Sequence, residues 1–189
     1  MFPYSRIILS KIIFLFALVL ISGCIKNSTP AKDMMLFDFE NETDLDRFAW
    51  KCRGRFELSS AHKNTGSRSL RFQFHPTSKV GFSTGDVPQD WSIYKSFDFW
   101  VYNPSPATMP IYVRVNRRSP SGEFIHLISK NLMIGPGENA ISISLKNEED
   151  LGNNPGHLQK VEGFFLYMQD IQAITVLYFD SFKMTKGEA

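Results

Sequence analysis

Apolar residues recur at every second position through much of this chain, and that period commits it to β-strands. Side chains on a strand point to alternate faces, so a period of two places one face on a core and the other in solvent. In Ser69–His75 the apolar set is Leu70, Phe72 and Phe74, with Arg71 and Gln73 between them. Ser96–Tyr102 sets Phe97, Phe99 and Val101 against Asp98, Trp100 and Tyr102. Pro110–Arg117 sets Ile111, Val113 and Val115 against Tyr112, Arg114 and Asn116, and Ala140–Leu145 repeats the pattern with Ile141, Ile143 and Leu145. Further strands are expected at Leu36–Glu40, Phe56–Leu58, Lys79–Ser83, Glu123–Ile128, Val161–Met168 and Thr175–Met184. Turn-forming clusters separate them at Lys63–Ser67, Asn103–Pro106, Ser119–Gly122 and Gly135–Gly137. No window carries a sustained helical stripe, and Asn147–Lys160 reads as a long loop with at most one helical turn. About ten strands, largely antiparallel and without internal repeat, predict an all-β jelly-roll sandwich.

The first 33 residues follow a different rule. Arg6 and Lys11 precede an apolar run from Ile12 to Ile21, and Ile21-Ser22-Gly23-Cys24 closes it. The run is about half of the roughly 20 residues a membrane-spanning helix needs, which predicts a cleaved leader rather than an anchor. The segment resembles a bacterial lipoprotein signal. This resemblance implies a signal peptide at 1–23, Cys24 as the acylated first residue of the mature chain (palmitate among its acyl groups), and a polar tether at 24–33. Several acyl chains on one cysteine give stable attachment where a single chain is marginal. Ile25 is not the aspartate that many Gram-negative bacteria use for inner-membrane retention, so the expected address is the outer membrane, on its periplasmic or surface side. An ordinary secretory peptide that happens to end near a cysteine is the other reading.

Loss of residues 1–23 removes two basic and no acidic residues, leaving 19 of each sign. A neutral mature chain offers no excess positive potential, which argues against nucleic acid as a partner. The remaining roughly 155 residues suffice for one domain, expected at 34–186. After Cys24, the only other cysteine is Cys52, so no intrachain disulfide is expected. In Trp50-Lys51-Cys52-Arg53 two basic groups flank that thiol, yet a small buried residue is the plainer role.

The order of segments resembles a known family. Met35-Leu36-Phe37-Asp38-Phe39-Glu40, then Trp50, then Asn64-Thr65-Gly66-Ser67-Arg68-Ser69-Leu70 are similar to the opening of the galactose-binding-like carbohydrate-binding modules. Asp90–Tyr94 leading into Phe97–Val101 is similar to family 11 of these modules, which binds β-glucans, and Val161–Tyr167 with Leu177–Met184 completes the pattern. The resemblance implies a β-sandwich that binds polysaccharide or oligosaccharide without catalysis, on a concave sheet face where rings stack on sugars. By strand parity the face opposite the core presents Trp100 and Tyr102 on one strand, Tyr112, Arg114 and Asn116 on another, and Phe165, Tyr167 and Gln169 near the end, and the expected sugar-binding residues among them are Trp100, Tyr102, Tyr112, Arg114 and Tyr167. The loop Leu145–His157 holds Glu148, Glu149 and Asp150 but neither an aromatic residue nor an arginine, a departure from the family 11 pattern. A structural Ca²⁺ is also implied, held by Glu40 or Asp38, by Asp180, and by carbonyls near Asn64 and Ser67. Glycan-processing proteins of the envelope are further expected partners. A second reading uses the same aromatic face to hold a protein partner, as a β-sandwich adaptor.

Other signals carry less. Gly81-Phe82-Ser83-Thr84-Gly85 matches the G-x-S-x-G nucleophile pattern, but a nucleophile elbow needs a strand turning into a helix, and Asp86–Asp90 continues as loop. His62, His75, His126 and His157 have no zinc-site spacing. The scattered carboxylates nominate no general acid and base pair. Asn41-Glu42-Thr43 fits a glycosylation sequon that a bacterial leader makes incidental.

Overall fold

The computed structural model describes residues 33–50, 53–146 and 158–187, without the side chain of Trp50. The leader, Cys24, the tether up to Lys32, Cys52, and the loop residues Glu148, Glu149, Asp150 and His157 lie outside the described residues. The strands are β1 (Met34–Phe37), β2 (Ala49–Trp50), β3 (Gly54–Ser59), β4 (Ser69–Phe74), β5 (Thr77–Thr84) and β6 (Ser96–Asn103). They continue with β7 (Met109–Arg118), β8 (Phe124–Ile134), β9 (Gly137–Ser144), β10 (Gly163–Ile171) and β11 (Thr175–Thr185). A single helical turn, α1 (Thr43–Asp46), interrupts them.

Two antiparallel sheets pack face to face. The first has the order β3-β4-β11-β6-β9 with β1 also on β11, and the second has the order β2-β5-β10-β7-β8. Each period-two stretch of the sequence is one of these strands, and its apolar set is the inward face. Phe72, Phe97, Phe179 and Phe182 from the first sheet meet Phe82, Phe164, Val113 and Leu166 from the second, all buried. Phe182 lies at the centre, with ring centroids 5.0 Å from Phe99, 5.6 Å from Phe164 and 5.9 Å from Phe39. Most of the chain's phenylalanines are thus spent on the core, where each buried ring contributes about 1.5–3 kcal/mol.

Two irregularities redirect side chains. In β11 the register shifts between Asp180 and Lys183, at the point where its neighbour on one edge changes from β4 to β1. Ser181 there has φ 54, and the extra residue turns Asp180 and Ser181 to the same outer side while Phe179 and Phe182 both stay in the core. In β8 the pairing jumps from Ile128 opposite Val115 to His126 opposite Asn116. Leu127 is the extra residue, and the strand runs on to Ile134, well past the expected end at Ile128.

Candidate functional site

The structure divides the five expected sugar-binding residues between two opposite surfaces. Trp100 and Tyr102 are on β6, in the first sheet, whereas Tyr112, Arg114 and Tyr167 are on β7 and β10, in the second. All five point away from the core, as their strand parity requires, but they do not form one face. Parity places a residue inside or outside; it does not say which sheet its strand joins.

On the first sheet the outer surface is roofed by the turn at residues 60–67. His62 stacks on Tyr102 at 3.7 Å and meets Tyr178 edge-on at 4.7 Å. Trp100 is only 5% exposed, beside Asn64 and Thr65. The turn is held by two carboxylates. Asp180 Oδ2 accepts the backbone N–H groups of Asn64 (2.8 Å) and Thr65 (3.1 Å), and Oδ1 accepts that of Ser181 (2.6 Å). Glu40 Oε1 accepts the N–H groups of Ser67 (2.8 Å) and Arg68 (2.9 Å), and Oε2 accepts the Ser67 hydroxyl at 2.6 Å. The Ser67 hydroxyl and these backbone donors hold the Glu40 carboxyl below its ordinary range. Burial pushes Asp180 up, with the N–H groups of Thr65, Asn64 and Ser181 opposing it.

These are the residues that the resemblance nominates for calcium: Glu40, Asp180, Asn64 and Ser67 do converge on one turn. They meet through N–H donors, and a cation needs oxygen donors. Among the described residues no group of three His, Cys, Asp or Glu side chains is placed to hold a metal. The donor set fits an amide–carboxylate clamp and does not fit a hard-cation site.

The second sheet carries an open groove of about 490 Å³ on its outer surface. Its floor is β5 and β10, where Gly81 lies opposite Tyr167 in register. A Cβ at Gly81 would strike the Leu166 carbonyl oxygen and the Tyr167 backbone. Gly81 lets β5 and β10 lie close, and Gly85 approaches the Glu162 carbonyl in the same way, which is the use this fold makes of the G-x-S-x-G stretch. Ser83 lies within β5, not at a strand-to-helix turn, and its hydroxyl reaches the Ala49 carbonyl at 3.4 Å.

Beside that floor three rings form a ladder across β10 and β7: Phe165 stacks on Tyr167 at 4.6 Å and Tyr167 on Tyr112 at 5.2 Å. Tyr167 itself is buried, covered by the cations around it. Lys79 Nζ sits 4.1 Å from its ring centre and 5.1 Å from that of Phe165, and the Arg114 guanidinium carbon is 5.3 Å from Tyr167. Phe165 and Tyr112 are both half-exposed, and of the ladder it is Phe165 that lines the groove. The far wall comes from the β7–β8 hairpin: Arg114, Asn116, Arg118, Phe124 and His126. Arg118 lies over Phe124 at 4.5 Å and donates to Glu162 at 2.9 Å.

His126 reaches this wall because of the bulge at Leu127. Its Nδ1 is 2.6 Å from Asn116 Oδ1 and its Nε2 is 3.4 Å from Arg114 Nη1. An amide oxygen at one nitrogen and a cationic donor at the other define the neutral ring with its proton on Nδ1. Burial, Arg114 and Lys79, in that order, lower its pKa. With both nitrogens engaged and the Ser83 hydroxyl directed to a carbonyl, the groove is equipped to bind by stacking and hydrogen bonding.

Sequence reasoning found Tyr112, Arg114 and Tyr167 by parity. It passed over Lys79, Phe124 and His126 as site members. Parity could have nominated Lys79, which alternates with Val80 and Phe82, but the bulge hid His126 and Phe124.

Several solved structures share this fold. The family 11 carbohydrate-binding module of a cellulosomal cellulase from Clostridium thermocellum aligns at TM-score 0.63 and 11% identity, over 84% of this chain and 97% of the module. The CBM22-1 xylan-binding domain from Paenibacillus barcinonensis aligns at 0.57 and 15%, over 84% of this chain and 99% of that one. An exo-beta-agarase aligns at 0.61 and 16% over 82% of this chain, which spans about a quarter (25%) of the agarase. The fold is therefore the galactose-binding-like β-sandwich of carbohydrate-binding modules, as the sequence motifs implied. No curated protein matches the chain in sequence. Residues 33–180, nearly the whole of the sandwich just described, match the family described as "Lyase, N terminal", and the chain belongs to that family.

Proposed function

We propose that this domain binds a polysaccharide without catalysis, through the groove on the outer surface of the second sheet. The observation that carries this reading is the groove itself, where the half-exposed Phe165 ring lies 5.1 Å from Lys79 Nζ and beside Arg114, its register partner on β7. A sugar ring has an apolar face and a rim of hydroxyls, and this groove offers a ring for the first and donors for the second. The fold supports the reading, since modules of the same architecture include a xylan-binding domain and a family 11 module in complex with a β-1,3-1,4-mixed-linked tetrasaccharide. The family description supports a role beside a lyase or other glycan-processing enzyme as partner. The Cys24 lipid anchor and an outer-membrane address are part of the proposal, supported by the lipobox-like sequence and the tether.

The test is isothermal titration of residues 31–189 with a panel of soluble glycans, neutral and charged, for the wild type and for Phe165→Ala. Binding by the wild type and at least a tenfold loss in a variant of unchanged melting temperature are expected. No heat with any glycan at millimolar concentration removes the carbohydrate reading and leaves the protein-adaptor reading in its place.

A further inference from the structure

We infer that the end of the sandwich where β1 begins rests on an anionic phospholipid membrane, with Ile93 and Met34 entering the interface and Lys95, Lys146 and Lys186 meeting the headgroups. The inference goes beyond the lipid anchor at Cys24 and rests on that reading for what brings the membrane near. The chain from Cys24 to Asp33 spans at most about 32 Å even when fully extended, so an acylated Cys24 keeps this end within that distance of the bilayer.

Four strands meet there. β1 and β6 begin at this end while β9 and β11 finish at it, since Met34 pairs with Met184, Ser96 with Thr185 and Ser96 with Ser144. Lys95 donates its N–H to the Thr185 carbonyl at 2.7 Å and accepts that of Leu145 at 2.8 Å, which leaves Lys146 and Lys186 as the next residues on those two chains. The three lysines are thus brought to one surface. Among the described residues no ion pair joins any of them to a carboxylate. The described carboxylates of this region are engaged elsewhere: Asp33 by the Lys186 N–H, Asp90 by the N–H and hydroxyl of Ser92, and Asp98 by the hydroxyls of Ser96, Ser142 and Thr185.

The apolar members stand outside the core. Ile93 is 53% exposed on the turn Trp91–Tyr94, where polar residues are the rule. Buried Trp91 holds that turn from within, its indole N–H donating to the Pro88 carbonyl at 2.8 Å, and Lys146 Nζ donates to the Ser92 carbonyl on the same turn at 2.7 Å. Ile93 is therefore presented on a fixed support beside a cation. Met34 is 40% exposed, with its sulfur 3.3 Å from the Tyr94 hydroxyl, and Lys186 Nζ lies 5.4 Å from the centre of the Tyr94 ring. Apolar side chains set among lysines suit a membrane interface, the first entering the acyl boundary and the second meeting phosphate. Contact at the strand ends leaves the outer faces of both sheets, the groove among them, to the side of the membrane.

The experiment uses residues 24–189 with Cys24→Ser, which carry no acyl group, and vesicles of phosphatidylcholine alone or with about 30% phosphatidylglycerol. Each lysine near an anionic surface is worth roughly a fivefold gain in partitioning. Cosedimentation is expected to show at least tenfold tighter binding to the anionic vesicles, falling as salt is raised from about 50 to about 500 mM. Lys95→Gln with Lys186→Gln is expected to lose about tenfold or more, and Ile93→Ser about fivefold, each at unchanged melting temperature. Arg53→Gln with Arg55→Gln removes the same charge from exposed positions at the opposite end, where Gly54 pairs with Phe74 and Phe74 with Thr175, and is expected to bind as its parent does. Equal binding to both kinds of vesicle overturns the inference. Unchanged binding on either substitution at this end, or an equal loss at the two ends, overturns it as well. Fractionation of the full chain separates this surface from the anchor. If Cys24→Ser releases the full chain from membranes and the unacylated form shows no vesicle preference, the anchor stands and the docking surface falls. If Cys24→Ser leaves it on membranes and the unacylated form binds anionic vesicles, the anchor falls and the docking surface stands.

Discussion

Arg114 directs Nη1 at the Nε2 lone pair of His126 across 3.4 Å, a cation set against an imidazole that must stay neutral to receive it. Protonated His126 would face Arg114 on β7 and Lys79 on β5, with only the Asn116 amide oxygen, among the described residues, to favour it. Its pKa is expected below the ordinary value of about 6.5. Folding lowers this pKa, so the unfolded chain binds more protons over the interval between the two values, and stability falls as pH drops through it. A proton titration followed by NMR reads the value directly. Arg114→Gln is expected to raise it part of the way, since burial and Lys79 remain; an unchanged value would assign the shift to those two.

Asp180 binds three backbone N–H groups with two oxygens, so Asp180→Asn is expected to destabilise the domain although it is nearly isosteric. An amide has one accepting oxygen, and whichever way it is turned its NH₂ opposes a buried donor. The cost is about 1–3 kcal/mol. Since burial raises the pKa of Asp180, its ionised form weakens the fold as pH rises through that value, and loss of the charge offsets part of this cost. Melting curves of wild type and variant give the difference. The same curves taken with calcium and with chelator are expected to coincide, because the clamp around Asp180 and Glu40 is closed by N–H donors.

Gly66→Ala is expected to loosen the same turn from its other side. Gly66 has φ +60, where an L side chain is strained, and a Cβ there would collide with the Glu40 carboxylate. Strain of this kind costs on the order of 1–3 kcal/mol. Exposure of His62, Tyr102 and Trp100 should accompany the loss, visible as a shift in tryptophan fluorescence. Since Glu40 is held below its ordinary pKa, its share of the clamp is present above about pH 4.3 and is lost as pH falls through the lowered value.

Phe182→Ala is expected to be the severe core variant, at about 3–5 kcal/mol and roughly 10 °C in melting temperature. The ring touches aromatic residues from both sheets, and no neighbour is free to collapse into the space. An equal loss on Phe124→Ala, whose ring is 57% exposed, would contradict this ranking.

Cys24→Ser is expected to leave an unprocessed or soluble form, since acylation needs the thiol. Membrane fractionation and detergent partitioning of the variant check it. Unchanged partitioning would remove the lipid anchor from the proposal.

Ten of the strands were legible, most of them because they obey a local rule: Phe72 and Phe74, or Val113 and Val115, alternate with polar residues whatever they pack on. The short strand β2 and the turn of helix at Thr43–Asp46 were not, being too brief to show a period. The second half of β8 was missed for a related reason. Leu127 and Ile128 are both buried by the bulge, which breaks the alternation, and Ser129-Lys130-Asn131 then reads as polar.

By itself the sequence determined the fold class and the inward set, because these depend on parity; that Glu40 and Asp180 gather at the turn 64–67 was implied only by the resemblance to the carbohydrate-binding modules. Only the tertiary structure decided that Trp100 and Tyr102 belong to one sheet while Tyr112, Arg114 and Tyr167 belong to the other. It also decided that Asp180 meets amides, and that His126 joins the groove. Each of these depends on which strands pair and where a bulge shifts the register, and both are set by the long-range fit of aromatic side chains between two sheets.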